Sequence, residues 1–160
     1  MSREEKRVQR ILFVCHGNIC RSPMAEFVLR DMAEKRGIRD RLIVASAATS
    51  AEELGNPVHP GTRRLLAGLG ISTAGKTAVQ LTRADYERWD WLLGMDSRNL
   101  RNMLRILGGD PAGKVRLLLD FTAHPRDISD PWYTGDFEAT YADVYEGCEA
   151  LLDQLTASLR

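Results

Sequence analysis

A cysteine and an arginine in the N-terminal part of the chain have the types and the spacing that phosphate chemistry requires. Cys15 directly follows the apolar run ILFV at 11–14, and five residues separate it from Arg21. Ser22 and Pro23 come next and predict the start of a helix, because serine is a good N-cap and proline a good first helical residue. A thiol, a guanidinium and a helix N-terminus within one turn suit a bound dianion facing a sulfur nucleophile. The pattern therefore predicts phosphate-ester chemistry through a phosphocysteine.

The residues around this pair favour an anion-binding loop. Helix N-termini present unpaired N–H groups and a partial positive charge, and Gly17 is expected to allow backbone angles that turn further N–H groups inward. The planar fork of Arg21 can contact two phosphate oxygens at once, which lysine cannot do. The same positive environment favours the ionised, nucleophilic form of Cys15. Asn18 and the Ser22 hydroxyl could hold the loop and hydrogen-bond the sulfur.

A simpler interpretation of Cys15 has to be weighed against this one. A lone cysteine at the end of a strand is more often a small buried apolar side chain than a nucleophile. A bare C-x5-R match does not exclude that interpretation. Gly17, Arg21 and the Ser-Pro helix start at these offsets make the longer string much more specific, and they favour the nucleophile.

Composition limits the possible partners. The 160 residues predict a single domain, with 44% hydrophobic residues, 28% charged residues and a formal net charge of zero. Nothing global attracts nucleic acid or an anionic membrane, so any preference for anions has to be local. The N-terminal MSREEKRVQR is charged and does not resemble a secretory signal, and no apolar stretch reaches the ~20 residues that span a bilayer.

The cysteines indicate a compartment and argue against two kinds of site. Three cysteines in a chain of this length do not suggest a disulfide framework and favour a reducing cytoplasm. No Cys-x-x-Cys or paired Cys/His spacing indicates a metal site. We therefore expect a cytoplasmic protein without a metal.

Apolar runs that alternate with helical patterns are typical of an α/β protein. Strands are predicted at 8–14, 41–47, within 86–95 and at 115–119. Helices are predicted from residue 24 to about residue 37, at 60–69, at 97–107 and along the apolar stripe at 137–159, with long loops at 49–60 and 123–135. This alternation implies a parallel sheet covered on both faces. Ligands in such folds bind beyond the carboxyl ends of the strands, which is where Cys15 lies.

With CHGNICRSPMAE at 15–26, the chain resembles the low-molecular-weight protein tyrosine phosphatases, whose signature is V-C-x-G-N-x-C-R-S-P. The segments SAATS at 46–50, GNP at 55–57, GMDSRNLR at 94–101 and DPWYTGDFEATY at 130–141 follow in the expected order. The resemblance implies a single-domain, three-layer α/β fold with a four-stranded parallel sheet and a phosphate-binding loop after the first strand. It also implies hydrolysis of phosphotyrosine through a cysteinyl-phosphate, release of inorganic phosphate, and no metal or organic cofactor.

The resemblance assigns roles to individual residues. Cys15 is the nucleophile, Arg21 the phosphate clamp and Asp130 the general acid, which then serves as base. The alternative for Asp130 is turn chemistry, since Asp-Pro commonly opens turns. Phosphate contacts are expected from a set of loop residues: His16, Gly17, Asn18, Ile19, Cys20 and Ser22. Ser46 is expected in the hydrogen-bond network of the loop, and Asp96 either supports the site by orienting Arg21 or only caps the helix that follows it.

Two aromatic residues follow the proposed acid. Trp132 and Tyr133 are expected to form a wall against which an aromatic leaving group packs. The alternative is that one or both lie in the core, Tyr133 more readily than Trp132. Trp89 and Trp91 lie in a strand-like run and are interpreted as structural.

The remaining cysteines have separate interpretations. In the family, the second loop cysteine, here Cys20, can form a reversible disulfide with the nucleophile and protect it from over-oxidation. The alternative is a packed neutral thiol. Cys148 lies on the apolar stripe of the last predicted helix and is interpreted as inert core.

Three positions depart from the family pattern. His16 stands where many relatives have leucine. Glu52 falls near the position at which relatives often have an aromatic residue that helps to select substrates. Lys76 lies where relatives often carry histidine and arginine, so part of the network that supports the loop is expected to be built differently. These departures concern substrate preference and rate, and leave the reaction type unchanged.

Other functions remain open at this stage. A thioredoxin-coupled arsenate reductase on the same scaffold needs two further cysteines in a mobile segment, and neither Cys20 nor Cys148 is placed in one. A non-catalytic phosphopeptide-binding module would be expected to lack Cys15 or Asp130, and both are present. The expected partners are phosphotyrosine-containing proteins, and the chain is expected to be a monomer or a weak homo-oligomer.

Overall fold

Four parallel strands form the centre of the molecule. The computed structural model describes residues 8–159; most of the charged N-terminal segment lies outside that range. The strands are β1 (Gln9–Cys15), β2 (Leu42–Ala48), β3 (Trp91–Gly94) and β4 (Val115–Leu117). They lie in the order β2-β1-β3-β4, and every neighbouring pair is parallel. The predicted fold class, a four-stranded parallel sheet, is confirmed.

Six α-helices connect and cover the strands in the described part of the chain. They are α1 (Arg21–Lys35), α2 (Pro60–Gly68), α3 (Asp85–Arg88), α4 (Ser97–Leu107), α5 (Pro131–Thr134) and α6 (Phe137–Leu159). Short 3-10 helices occur at Arg39–Arg41 and Leu118–Phe121. Among residues 8–159, no helix combines the length and the apolar character that crossing a bilayer requires.

The central strand β1 divides the core into two layers. Alternate side chains of a strand point to opposite faces of the sheet, and both faces of β1 are apolar. Ile11 and Phe13 pack with α1 and α6, whereas Leu12 and Val14 pack with α4 and with Tyr86. Helices therefore cover both faces, which gives the predicted three layers.

Sheet register determines which residues meet at the carboxyl edge. Cys15 pairs with Ala48 at the end of β2, and Val14 pairs with Gly94 at the end of β3. The residues that leave these strands therefore start from the same edge. Cys15 ends β1 and Asp96 follows the end of β3, so these two residues, 81 positions apart in the sequence, lie at the same edge of the sheet.

Several predicted boundaries were wrong. The first two strands begin and end one residue later than predicted, and the fourth ends at Leu117, after which a 3-10 helix begins at Leu118. The third strand is only four residues long, because 85–88 form a helical turn, and Trp89 therefore lies outside the sheet while Trp91 lies within it. The loop predicted at 123–135 contains the short helix α5.

The start of α1 also differs from the prediction. The helix begins at Arg21 with Cys20 in the N-cap position and no side-chain cap, so Ser22 is not the N-cap. The Ser22 hydroxyl instead lies 3.0 Å from the Cys15 sulfur. A tertiary contact has taken the hydroxyl that the local pattern assigned to capping.

The last helix buries most of its predicted apolar stripe, although Tyr145 on that stripe is exposed. Val144, Cys148, Leu151, Leu152 and Leu155 are fully buried against the sheet layer. Cys148 has no exposed surface, as expected for an inert core thiol.

Close packing at one glycine of α6 leads to a stability prediction. A Cβ at Gly147 would lie 2.5 Å from Leu118 Cγ. We expect Gly147→Ala to lower the free energy of unfolding by about 1–3 kcal/mol, because overpacking outweighs the better helix propensity of alanine. Urea unfolding followed by circular dichroism measures the change. The control is Gly68→Ala in α2, where a Cβ meets nothing within 4 Å; an equal loss in both variants would contradict the packing argument.

Candidate active site

The loop between β1 and α1, residues 15–21, curls around the Cys15 sulfur. Asn18 has φ +58° and is the one non-glycine residue among 8–159 in the left-handed region. Gly17 has no positive φ, so the prediction that its backbone freedom shapes the loop was wrong. A Cβ at Gly17 would lie 3.3 Å from Glu53 Cγ. A Cβ there would crowd the Glu53 side chain, while asparagine, which tolerates left-handed angles better than most residues, makes the turn.

The sulfur itself receives two contacts from the first turn of α1. Cys15 Sγ lies 3.0 Å from Ser22 Oγ, and the Ser22 N–H donates to it at 3.4 Å. Cys15 is nearly buried and lies at the floor of a cleft. A hydroxyl and a backbone N–H from one turn of α1 are thus both within hydrogen-bond distance of the sulfur.

Both the nitrogen and the oxygen of the Asn18 side-chain amide make hydrogen bonds. Its Nδ2 donates to Ser22 Oγ at 2.7 Å and to Ser46 Oγ at 2.9 Å, and its Oδ1 accepts from the Val79 N–H at 3.1 Å. The structure thus places Ser46 in the same network as the loop. The hydrogen bonds fix the left-handed residue in one orientation.

Two charged residues lie behind this network: Glu26, which sequence reasoning did not single out, and Lys76, at the position where the supporting network was expected to be built differently. Ser46 Oγ donates to Glu26 Oε1 at 2.5 Å, and Lys76 Nζ donates to the Ser46 carbonyl at 3.0 Å. Glu26 is buried. Its position one turn after Ser22 on α1 was the available signal, because residues four apart share a helix face.

Arg21 is 2% exposed and is held by three acceptors. Nη1 donates to Asp96 Oδ2 at 2.6 Å and to the Ile128 carbonyl at 2.9 Å, and Nη2 donates to Asp130 Oδ2 at 3.3 Å. Burial by itself lowers the pKa of Arg21, but the charge of Cys15 and the hydrogen bond to Asp96 outweigh it and raise the pKa above its ordinary value. The guanidinium is therefore a fixed cation beside the sulfur.

Asp96 has both of the roles that were considered for it. Oδ1 accepts from the Asn99 N–H at 2.8 Å and caps α4, while Oδ2 accepts from Arg21. The Asn99 side chain accepts in return from the Asp96 N–H at 3.2 Å, which completes a capping box. Capping keeps the carboxylate rigid while it orients the guanidinium.

Asp130 likewise caps a helix and points to the cleft. Oδ1 accepts from the Trp132 N–H at 3.0 Å at the start of α5, and Oδ2 lies 3.3 Å from Arg21 Nη2. Its side chain is 22% exposed, so solvent and substrate can reach it. One residue thus caps the helical turn and also lies at the cleft.

The cleft above the sulfur is small and has an aromatic rim. Loop residues, Arg21 and Asp130 line it together with Trp132 and Tyr133. Trp132 is 58% exposed and Tyr133 is 78% exposed, so the alternative that Tyr133 lies in the core was wrong. Trp132 packs edge-on against His59, with ring centroids 5.8 Å apart. This contact supports the aromatic rim at Trp132.

Acidic residues also line the opening. His16 Nε2 lies 3.2 Å from Glu52 Oε2, and both side chains are well exposed. Glu53 also lines the cleft, although sequence reasoning did not single it out. Ile19 lines the cleft wall as expected and packs with Ala78 behind the loop.

The second loop cysteine is buried next to the first. Burial, followed by the charge of Cys15, raises the pKa of Cys20 to about 12. Burial also raises the pKa of Cys148 far above its ordinary value, and all three cysteines are free. Within residues 8–159, no cluster of three His, Cys, Asp or Glu side chains is arranged to hold a metal ion.

A strand that ends in a cysteine, a buried arginine and a carboxylate at the same cleft are the groups that a cysteine-dependent phosphatase requires. The model of the family "Low molecular weight phosphotyrosine protein phosphatase" matches residues 10–160. The chain therefore belongs to this family, and the predicted enzyme class, protein-tyrosine-phosphatase, is confirmed.

Individual relatives agree with this assignment. The chain is 39% identical over 144 residues to low molecular weight protein-tyrosine-phosphatase YfkJ of Bacillus subtilis. The aligned residues make up 89% of this chain and 92% of the relative. PtpA of Staphylococcus epidermidis is 36% identical over 146 residues, with 91% and 92% covered. The crystal structure of YfkJ matches with a TM-score of 0.91 and 37% identity over 94% and 96% of the two chains. SP-PTP of Streptococcus pyogenes matches with a TM-score of 0.82 and 38% identity over 92% and 93%.

The burial of both loop cysteines leads to a redox prediction. After mild peroxide treatment, we expect mass spectrometry to find Cys15 joined to Cys20, because the sulfenic acid of a nucleophilic cysteine condenses with a neighbouring thiol. Cys148 should remain unmodified, and the Cys20→Ser variant should instead accumulate sulfinic acid on Cys15. Sulfinic acid on Cys15 of the unaltered protein, without the disulfide, would contradict the protective role.

Proposed function

We propose that the protein hydrolyses phosphotyrosine in proteins, with Cys15 as nucleophile, Arg21 as phosphate clamp and Asp130 as general acid and base. The observation that carries this proposal is the convergence of three groups on one small cleft. The sulfur lies at its floor, the buried guanidinium lies beside it, and the carboxylate lies over it. The names of the relatives, which are protein-tyrosine-phosphatases, support the same substrate class.

The first step transfers the phosphoryl group to the enzyme. The phosphate dianion binds to the loop N–H groups and to the fork of Arg21. Cys15 Sγ attacks phosphorus, a sulfur–phosphorus bond forms, and the bond between phosphorus and the tyrosyl oxygen breaks. The electron pair leaves with the phenolic oxygen, which takes the proton of Asp130.

The second step regenerates the sulfur. The Asp130 carboxylate takes a proton from water, and the water oxygen attacks phosphorus. The sulfur–phosphorus bond breaks, its electron pair returns to Cys15, and inorganic phosphate is released. The Ser22 hydroxyl and N–H, at 3.0 and 3.4 Å from the sulfur, stabilise the negative charge that returns to it.

Cleft shape supports the preference for an aromatic ester. The sulfur is buried at the floor while the aromatic rings of Trp132 and Tyr133 stand exposed at the rim. A tyrosyl ring spans this depth and packs against the rim. A phosphate on a short serine side chain would have to bring its main chain into the cleft.

The cysteine positions argue against the arsenate reductase alternative. A disulfide relay needs thiols that can meet one another in turn, but Cys148 is fully buried in α6. Buried free thiols throughout the protein suit a reducing cytoplasm, which we propose as its compartment. We also propose that the chain forms one phosphatase domain that works as a monomer or a weak homo-oligomer.

A pair of peptides tests the proposed substrate class. We expect the protein to release phosphate from a phosphotyrosine peptide and not from the matching phosphoserine peptide. Cys15→Ser should remove this turnover, because a serine hydroxyl is a weak nucleophile, while still binding inorganic phosphate. Cys148→Ala is the control that removes a thiol elsewhere. Undiminished turnover by Cys15→Ser would reject the nucleophile, and reduction of arsenate by the wild type would favour the alternative.

The proposed acid predicts a dependence on the leaving group. Asp130→Asn keeps a side chain that can cap α5 but cannot donate the carboxyl proton. We expect kcat to fall by about 10²–10³-fold for phenyl phosphate and by much less for p-nitrophenyl phosphate, whose phenolate leaves without a proton.

Asp136→Asn provides the matched control for this variant. Asp136 accepts from the Ala139 N–H at 2.9 Å at the start of α6, so the control also changes a helix-capping aspartate near the cleft. It should leave kcat unchanged. If Asp130→Asn slowed both substrates equally, another residue would have to be the acid.

A further inference from the structure

His59 connects the phosphate loop to the segment that carries Asp130. It directly precedes α2 and its side chain caps that helix, because Nδ1 accepts from the Gly61 N–H at 3.0 Å. Its backbone N–H donates to the Ile19 carbonyl at 2.9 Å. The first hydrogen bond fixes the orientation of the ring, and the second ties the main chain of His59 to the phosphate loop. The imidazole is therefore a fixed support beside the loop.

Two aromatic rings from the segment that follows Asp130 pack against this imidazole. Phe137, the first residue of α6, stacks on it with ring centroids 5.1 Å apart and an interplanar angle of 22°. Trp132, in α5, meets it edge-on, with centroids 5.8 Å apart and an angle of 80°. Stacked and edge-on arrangements are the favourable ones for aromatic pairs. His59 therefore holds this segment at two points, one inside α5 and one just after it.

The packing around Phe137 is close. A Cβ at Gly61 would lie 2.4 Å from Phe137 Cζ, so the ring rests on bare main chain at the start of α2. Phe137 also packs against an apolar cluster beside the phosphate loop, formed by Ile19, Cys20 and Ala78. The start of α6 is therefore fixed against the loop.

The Asp130 carboxylate needs such an anchor when phosphate is bound. Its Oδ2 lies 3.3 Å from Arg21 Nη2, and Arg21 Nη1 already donates to Asp96 and to the Ile128 carbonyl. A phosphate that binds the fork of Arg21 therefore competes with Asp130 for Nη2. The position of the carboxylate then depends on α5, where Asp130 accepts from the Trp132 N–H. A ring that holds Trp132 in place also holds the acid.

We propose that His59 is a positioning residue for proton transfer: its ring clamps Trp132 and Phe137 to the phosphate loop and keeps Asp130, the N-cap of α5, over the cleft. This inference rests on the proposed function, because it takes Asp130 as the general acid. Of the residues at 8–159, those that line the cleft do not include His59. Its loss should therefore slow esters that need the proton more than esters that do not.

A comparison of two esters tests the proposal in the variant His59→Ala. Phenyl phosphate needs the proton of the acid, whereas the phenolate of p-nitrophenyl phosphate leaves without one. Looser packing at Trp132 should weaken the binding of both phenyl rings equally, so this effect cancels in the ratio of the two kcat/KM values. We expect the ratio, phenyl over p-nitrophenyl, to fall about tenfold, since small displacements of a catalytic group are costly.

Two further substitutions separate the ring contacts from the helix cap. His59→Asn keeps a side chain that can cap α2 but removes the ring, and it should lower the ratio as His59→Ala does. His59→Phe keeps a ring against Trp132 and Phe137 but removes the acceptor that caps α2. It should lower the unfolding midpoint and keep the ratio within about twofold of the wild-type ratio. If His59→Ala does not fold, His59→Asn replaces it.

Tyr145→Ala is the matched control for the loss of a ring. Tyr145 and Tyr141 also form an aromatic pair on α6, with centroids 5.9 Å apart, but Tyr145 lies eight residues beyond Phe137. The control should leave the ratio unchanged. A fall equal to that of His59→Ala would contradict the proposal, because any lost ring packing would then produce it.

A double variant shows whether His59 acts through the acid. Added to Asp130→Asn, His59→Ala should lower the ratio no further, because both changes act on one proton transfer. A further fall would mean that the two residues act independently, and it would overturn the proposal.

Two other results would also overturn it. One is a wild-type ratio in His59→Ala, or in His59→Asn in its place. The other is a ratio that falls as far in His59→Phe as in His59→Ala, because the ring contacts would then not carry the effect. A wild-type protein that hydrolyses neither ester would instead refute the proposed function, and an unchanged ratio in Asp130→Asn alone would refute its acid. These failures are therefore distinguishable from a failure of His59.

Discussion

The burial of Arg21 is the constraint on which the rest of the site depends. Removing a guanidinium from water costs several kcal/mol unless acceptors surround it. Asp96, the Ile128 carbonyl and Asp130 provide those acceptors, and they come from the end of β3 and from the segment that leads into α5. The chain therefore has to bring three distant segments to the carboxyl edge of one sheet. The same requirement places a carboxylate above the sulfur of Cys15.

A second buried cluster lies behind the loop and faces the other way. Arg21 and Glu26 belong to the same helix, α1, yet Arg21 faces the cleft and Glu26 faces the outer edge of the sheet. The front cluster holds a cation ready for phosphate, and the rear cluster holds the asparagine that turns the loop. Several hydrogen bonds hold each cluster in place. Rigid, preoriented donors are what stabilises charge that develops during a reaction.

Short elements and capping were the parts of the fold that the sequence did not predict. Strand β1 was predictable because its last five residues, at 11–15, form a continuous buried apolar run. Strand β3 is only four residues long, and the helical turn at 85–88 carries no clear periodicity, so Trp89 was placed in a strand. Ser22 was predicted as a cap from local propensity, but the sulfur of Cys15 competes for the same hydroxyl. Tertiary contacts commonly override such weak local preferences.

The sequence by itself determined the loop cysteine, the arginine and the family, because these are written in one contiguous loop whose spacing is strict. Only the tertiary structure decided that Asn18 and not Gly17 makes the left-handed turn, and that Trp132 and Tyr133 both face solvent. It also decided which groups support the loop. Arg21 meets Asp96 and Asp130 across 75 and 109 residues of chain, and Lys76 meets Ser46 across 30. Partners so far apart are set by sheet register and helix packing, and no local pattern of residues encodes them.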